Sequence, residues 1–222
     1  MTTIIGIQGD GFCVATADSR ISDVENESGL ISQIVSLKES NSKLGINGRY
    51  VLAAAGDLRA INILHHAFTP PKVEANVKGK KLDQFVTTKF IPSLRECFEH
   101  QGYAAPQNEN SEHIAEHSST ILMAINGMIY IIDGDYSWIS DPNGLYAIGT
   151  GAQYALGAMY SMLPKKGKLN VGLARKIAIR AIAVAAKFDP YTGAPYHTIV
   201  QGLDQHNART TVASEKQRRA TR

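Results

Sequence analysis

The sequence predicts an α+β domain in which antiparallel sheets are covered by pairs of helices, and three observations carry that prediction. Short β-branched apolar runs and helical stripes come in blocks, ββ, ββ, αα, βββ, αα, β, rather than alternating strand with helix. Block order of that kind suits antiparallel sheets better than a doubly wound parallel one. The chain has 222 residues, 44% of them apolar and 19% charged, the balance of an ordinary globular domain. A domain of this size buries roughly 70% of the surface its unfolded chain exposes, so it builds a core without disulfides or a structural metal. No repeat or linker breaks the pattern, so residues 1–205 read as one domain and 206–222 as a basic, polar, disordered tail.

The elements follow in order. Thr3 to Ile7 and Phe12 to Asp18 flank Gly9-Asp10-Gly11, which predicts a β-hairpin built from the first residues. Residues 21–41 turn polar around the strand-like run Leu30 to Leu37, a loop or protruding hairpin. Lys43 to Ile46 and Tyr50 to Ala55 flank Asn47-Gly48, a second hairpin that ends in Gly56. Asp57 caps a helix carrying Leu58, Ile61 and Leu64 on one face, which must stop before Pro70-Pro71. Phe85, Phe90, Leu94 and Phe98 recur at helical spacing from Asp83 to Gln101, with Gly102 as the stop. Three strands follow at Ser119 to Ile125, Met128 to Asp133 and Tyr146 to Ile148. Helices are predicted over Thr150 to Met162 and Asn170 to Lys187, the second with a stripe of Val171, Ala174, Ala178, Ala181, Ile182 and Ala185. Tyr196 to Gln201 is the last strand.

Several function classes drop out. Arg209, Lys216, Arg218, Arg219 and Arg222 stand against Glu215 at the end of the chain, so the formal charge of +3 leaves the body close to neutral. Nucleic-acid binding needs a basic face on the domain itself and is not expected. Cys13 and Cys97 are too few for a disulfide framework, and Cys13 in an apolar strand reads as core. No apolar run approaches the ~20 residues of a membrane span, nor is there a basic then apolar leader, so a cytoplasmic protein is expected. His113-Ile114-Ala115-Glu116-His117 matches H-x-x-E-H, but its flanks carry no apolar stripe to bury a helix there. The segment 104–117 therefore reads as a polar loop, with no metal site. Gly149-Thr150-Gly151 lacks the third glycine of a dinucleotide loop.

Thr2 is the most informative position. Removal of Met1 by methionine aminopeptidase, normal before a small residue, leaves a threonine whose hydroxyl and α-amine sit on one residue. Such an amine titrates near 7.7 to 8.0, where a general base works best, so no separate histidine is needed. While Met1 stays attached, the nitrogen is an amide and cannot take the proton.

Around Thr2 stand Thr2-Thr3-Ile4, Ala17-Asp18-Ser19-Arg20, Ser42-Lys43 leading to Ala54-Ala55-Gly56, Ile148-Gly149-Thr150-Gly151 and Asp189-Pro190-Tyr191-Thr192-Gly193. In that order, from Thr2 to about Gln201, the chain resembles the catalytic β-type subunits of the 20S proteasome and the related bacterial peptidase HslV, which are N-terminal-nucleophile hydrolases. The resemblance implies a four-layer αββα sandwich and a threonine endopeptidase acting on peptides or unfolded proteins. Position by position it implies Thr2 as nucleophile with its own amine as base, and Asp18 beside Lys43. The lysine would lower the amine pKa by its charge. It implies further that the Gly56 N–H serves the oxyanion, and that Thr150, Asp189 and Thr192 surround the amine. Thr3, Arg20 and Ala54 would contact substrate, Ala54 as a small residue on the wall of the specificity pocket. The resemblance calls for no cofactor or metal, and implies homo-oligomeric stacked rings fed by a separate ATPase or unfoldase.

The chain departs from the family pattern in two ways. Thr150 and Thr192 stand where the family usually has serine, which keeps the hydroxyl and adds a methyl. The spacing from Asp18 to Lys43 exceeds the family's, so an insertion is expected within 21–41, and Lys38 competes with Lys43; the latter is preferred because it opens the strand leading to Gly56. The absence of a helix before the first strand favours the catalytic over the non-catalytic subunit type, and the absence of a propeptide leaves only Met1 to be removed. Two alternatives remain: an inactive structural ring subunit of the same fold, and a hydrolase of small amides.

Overall fold

A computed structural model describes residues 2–24, 31–104, 117–165, 167–202 and 209–213. β1 (Thr3–Gly9) and β2 (Phe12–Asp18) pair as the expected hairpin, Ile4 opposite Ala17. β2 continues directly into β3 (Arg20–Val24), which pairs with β4 (Ile31–Ser36) as a separate two-stranded sheet. These two strands, within the segment where an insertion is expected, therefore stand outside both main sheets. A single 3-10 turn, Glu39–Asn41, returns the chain to β5 (Leu44–Asn47) and β6 (Tyr50–Ala55).

α1 (Leu58–His66) starts at Asp57, whose carboxylate accepts the Arg59 N–H at 2.8 Å, the cap the sequence announces. The helix expected over 83–101 is interrupted: α2 (Lys80–Phe85) and α3 (Ile91–His100) are joined by a π-helical turn, Val86–Phe90. Pro92 explains the break. It has no N–H for the carbonyl four residues back, and its ring crowds that carbonyl, so the preceding turn widens.

β7 (Thr120–Ile125), β8 (Met128–Ile132) and the two-residue β9 (Trp138–Ile139) extend the second sheet to the order β5-β6-β7-β8-β9. β10 (Leu145–Gly149), α4 (Ala152–Met162), α5 (Val171–Phe188), β11 (Tyr196–Gly202) and β12 (Arg209–Ala213) follow. They complete the first sheet in the order β10-β1-β2-β11-β12, antiparallel throughout.

β12 differs from the expectation of a tail without structure over 206–222. Residues 209–213 include Thr210, Thr211 and Val212, β-branched types that suit a pleated strand, and their backbone pairs with β11. The expected basic charges beyond Ala213 lie outside the described residues.

Alternating side chains sort into three apolar layers. Ile4, Ala15, Ala17, Val51, Ala53, Leu122, Ile129 and Ile148 meet between the two sheets. Leu52, Leu64, Leu82, Phe90, Phe98, Ile121 and Tyr130 join one sheet to α1, α2 and α3. Ile5, Ile7, Val14, Met159, Ile177 and Ile182 join the other to α4 and α5. The result is the four-layer αββα sandwich. The sheets come close enough that a Cβ on Gly6 would lie 2.9 Å from Ile129 Cδ1. Among the described residues no helix is long and apolar enough to cross a membrane.

Candidate active site

Strand register gathers the sequence-predicted residues at one end of the sandwich. Thr3 faces Gly149, Ile4 faces Ala17, Tyr196 faces Asp18, and Leu44 faces Ala53. The start of β1, the end of β2, the start of β5, the ends of β6 and β10 and the start of β11 therefore share an edge. Thr2 lies there, 4% exposed, with Gly56 and Thr150 exposed nearby on the chain surface.

Asp18 and Lys43 form a fully buried ion pair, Nζ to Oδ1 at 2.7 Å. Lys43 also donates to the Arg20 carbonyl at 2.5 Å. The carboxylate is further held by backbone donors: Thr3 N–H to Oδ1 at 3.0 Å, and Arg20 and Gly193 N–H to Oδ2 at 3.0 and 3.1 Å. Desolvation by burial pushes the Asp18 carboxyl up and the Lys43 ammonium down, each opposed by the charge of the other. Lys38, the competing lysine, is exposed at the foot of the 3-10 turn, whereas Lys43 is the buried lysine paired with Asp18.

A second polar cluster surrounds Asp189. Thr150 and Thr192 donate their hydroxyls to Oδ2 at 2.8 and 2.5 Å, and Tyr191 N–H reaches Oδ1 at 3.2 Å. The Thr192 hydroxyl also meets the Thr3 hydroxyl at 2.5 Å. Thr150 N–H donates to the Thr2 carbonyl at 2.9 Å, which fixes the first peptide of β1. Two glycines make room for this. Gly149 has φ +92°, and a Cβ there would lie 1.9 Å from the Thr2 carbonyl oxygen. At Gly151 a Cβ would lie 2.2 Å from the Thr3 hydroxyl.

Gly56 ends β6 with φ +126°, packed so closely that a Cβ would lie 2.6 Å from the Ser118 carbonyl. The next N–H, of Asp57, donates to Ser119 Oγ at 3.0 Å, and that hydroxyl meets Tyr103 Oη at 2.8 Å. His117 Nδ1 accepts the Ser119 N–H at 3.3 Å. Burial holds the His117 imidazole below its ordinary pKa, with Asp133 and Asp135 opposing. Sequence reasoning did not find Ser119, Tyr103 or His117 as site neighbours. Their only signal was a strand start at Ser119, and the rest of the H-x-x-E-H segment, His113 and Glu116, lies outside the described residues. Among those residues no three His, Cys, Asp or Glu side chains gather as a metal site would require.

The expected substrate contacts sort differently. Thr3 is wholly buried with its hydroxyl against Thr192, so it presents no surface to a substrate and belongs to the supporting polar cluster. Its parity explains this: Thr2 and Thr3 point to opposite faces of the sheet. Ala54 is 1% exposed on the helix-facing side of β6, in the layer with α1. Arg20 is half-exposed and donates from Nη1 to the Pro190 carbonyl at 2.7 Å, tying β3 to the loop that carries Asp189 and Thr192.

No protein-family model matches the sequence, and no curated protein gives a significant match. Solved structures do. BPH from Thiobacillus denitrificans, also solved in complex with epoxomicin, is 19% identical with a TM-score of 0.63, covering 91% of this chain and 98% of that one. HslV from Trypanosoma brucei is 18% identical at TM-score 0.56, covering 90% and 99%. An Anbu (Gly-1) mutant from Hyphomicrobium sp. strain MC1 is 16% identical at TM-score 0.64, covering 97% and 88%. With its sheet order, its helical layers and these likenesses together, the chain has the fold of the proteasome-type N-terminal-nucleophile hydrolases.

Proposed function

We propose that this chain is a threonine peptidase of the proteasome and HslV kind, whose nucleophile is Thr2 once Met1 is removed. The observation that carries the reading is the convergence of two buried polar clusters on the first peptides of β1. Asp18, held by Lys43, takes the Thr3 N–H, while Thr150, held by Asp189, donates to the Thr2 carbonyl. A threonine needed only as a strand start has no use for a buried lysine–carboxylate pair, since moving such a pair out of water is costly.

In the proposed reaction the freed Thr2 amine takes the hydroxyl proton as Oγ1 attacks the peptide carbonyl. Lys43 supplies positive charge near the amine and hydroxyl, favouring their deprotonated forms. The tetrahedral oxyanion is met by the Gly56 N–H, whose lack of a side chain leaves the approach open. The C–N bond breaks as the protonated amine returns its proton to the leaving nitrogen, leaving an acyl ester on Thr2. Water, deprotonated by the same amine, then hydrolyses the ester and restores the hydroxyl. Asp189, Thr150 and Thr192 orient the amine, the two threonines keeping the hydroxyl that serine would supply. No step requires a metal or cofactor. Peptides or unfolded proteins are the proposed substrates, with cytoplasmic stacked homo-oligomeric rings as the working form and an ATPase or unfoldase as the partner that feeds them.

Intact mass of the purified chain, before and after a peptide epoxyketone, tests this reading, because such a reagent needs both the hydroxyl and a free amine of the same residue. Loss of Met1 and a single adduct absent from Thr2→Ala is the expected result. A chain that keeps Met1, or a Met1-free assembled chain that takes no adduct, would overturn it in favour of a structural subunit.

A further inference from the structure

We propose that Ser119 is the positioning residue that aims the Gly56 N–H, acting as the hub of a hydrogen-bonded unit with Tyr103 and His117. This rests on the peptidase reading of Thr2 and Gly56. A glycine donor has a wide range of backbone angles open to it, so its direction must be fixed by what holds the peptides on either side. The peptide before Gly56 follows Ala55, whose ladder partner Thr120 comes directly after Ser119. The peptide after it carries the Asp57 N–H, and that bond ends on Ser119 Oγ at 3.0 Å. Ser119 thus holds the peptide after the donor directly and packs against Gly56 itself, where a Cβ would lie 2.8 Å from its Oγ, while its chain neighbour Thr120 pairs with the residue before.

The hub is itself fixed at two points. Its N–H ends on His117 Nδ1 at 3.3 Å, which requires a neutral ring with its proton on Nε2. The ring is wedged against Phe98 and Tyr136, with centroids 5.1 and 4.9 Å away. The Ser119 hydroxyl accepts from Asp57 and shares a second hydrogen bond with Tyr103 Oη at 2.8 Å; Tyr103 Oη in turn lies 3.3 Å from Ser118 Oγ. Aligned chains of this sort strengthen each bond in the series. Ser118 adds contact from below, its carbonyl filling the place a Cβ of Gly56 would need. Without the Ser119 hydroxyl the Asp57 N–H loses its acceptor and the Gly56–Asp57 peptide can rotate, so Gly56 is held from one side only and the Ala55–Gly56 peptide that carries the oxyanion donor can shift with it.

The loss should fall on the transition state and not on substrate binding. For Ser119→Ala in the Met1-free assembled protein, kcat on a fluorogenic peptide should drop about 30- to 100-fold with KM little changed, the size of effect expected for an oxyanion donor displaced by about 1 Å. A peptide boronate, whose tetrahedral oxygen takes the oxyanion position, should weaken in parallel, while the matching peptide amide, which forms no tetrahedral adduct, binds as before. Ser119→Thr restores the hydroxyl and should restore most of kcat. Tyr103→Phe removes one atom from the chain of bonds and should lower kcat to an intermediate value with an unchanged melting temperature, so the proposal stays testable if Ser119→Ala fails to fold. Wild-type kcat in Ser119→Ala or in Tyr103→Phe overturns the proposal while leaving the peptidase reading intact. A kcat loss that boronate affinity does not follow, or that threonine does not rescue, overturns it equally. A wild-type chain that neither cleaves peptides nor binds boronate overturns both.

Discussion

Lys43 spends its whole length inside the protein to reach one carboxylate, and that makes it the residue whose removal reads most clearly. Lys43→Met leaves a buried Asp18 with three backbone donors in place of its cation. Breaking one side of a buried pair costs about 3 to 5 kcal/mol, and the remaining N–H donors place this variant near the lower end. Urea unfolding should therefore show a loss of about 3 kcal/mol together with absent peptidase activity, and unchanged stability would mean that the pair is solvated in solution. Gly149→Ala is the sharper steric test. Its Cβ would lie 1.9 Å from the Thr2 carbonyl at a φ of +92°, so Thr2 must shift. Epoxyketone labelling should fall at least about 10²-fold, as it does for groups misplaced by an ångström. Much of this chemistry was legible in the sequence, because Asp18-Ser19-Arg20, Gly149-Thr150-Gly151 and Asp189 to Thr192 are local runs whose chemistry survives without coordinates. Thr3 and Ala54, which the resemblance places against substrate, are buried in this chain, and sequence alone does not show which face of a strand a residue occupies. Ser119 was invisible for a different reason: its use lies in a contact with Asp57, 62 residues away in sequence.

At the scale of elements, hydrophobic period located nearly every strand and helix, and the discrepancies arise where something other than periodicity decides. The helix through 83–101 looks continuous in its apolar spacing, but Pro92 breaks the hydrogen-bond ladder and the chain inserts a π turn at Val86–Phe90. β9 has two residues, too few for any period to register. β12 borrows its stability from the edge of β11, which composition cannot foretell. Three histidines also lie out of full contact with water: His117 before β7 and His197 in β11 are buried, and His65 in α1 is half-buried. Burial lowers all three, against opposition from the Leu52 carbonyl at His65, from Asp133 and Asp135 at His117, and from Glu39 at His197. A histidine that is neutral when folded takes up a proton on unfolding, so its contribution is full above the ordinary value of about 6.5 and is lost as pH falls through it toward the lower folded value. Unfolding free energy should thus decline between about pH 7 and pH 5, and His117→Gln, which keeps an acceptor for the Ser119 N–H, should reduce the proton uptake on unfolding by up to about one. An identical slope in that variant would mean that His117 is protonated in the folded protein.

For the whole molecule, the outer layers are unequal. Among the described residues Tyr154, Leu156 and Tyr160 of α4 and Val171, Val184 and Phe188 of α5 are exposed large apolar side chains, with Tyr160 at 73% and Phe188 at 59%. The Tyr154 and Phe188 rings lie 5.8 Å apart, so exposed apolar groups of the two helices meet at that pair. The other exposed groups, Val35, Ile46 and Ile139, are scattered. Single exposed apolar residues need no explanation, but an area shared by two neighbouring helices does. The proposed working form, a homo-oligomer of stacked rings, would need to bury such a face, and a second copy of the chain is the partner it offers. Replacing Tyr160 and Phe188 together by glutamate removes that driving force without touching the core, since neither side chain belongs to the layer beneath α4 and α5. The double variant should sediment as a smaller species than wild type while its thermal melting by circular dichroism at low concentration stays the same. Peptidase activity separates two consequences. If the active end of the sandwich is complete within one chain, the smaller species still takes the epoxyketone; if neighbours complete it, labelling is lost along with assembly. Sedimentation identical to wild type would remove the α4–α5 face as an assembly surface and leave the β3–β4 hairpin, which stands outside both main sheets, as the next surface to test.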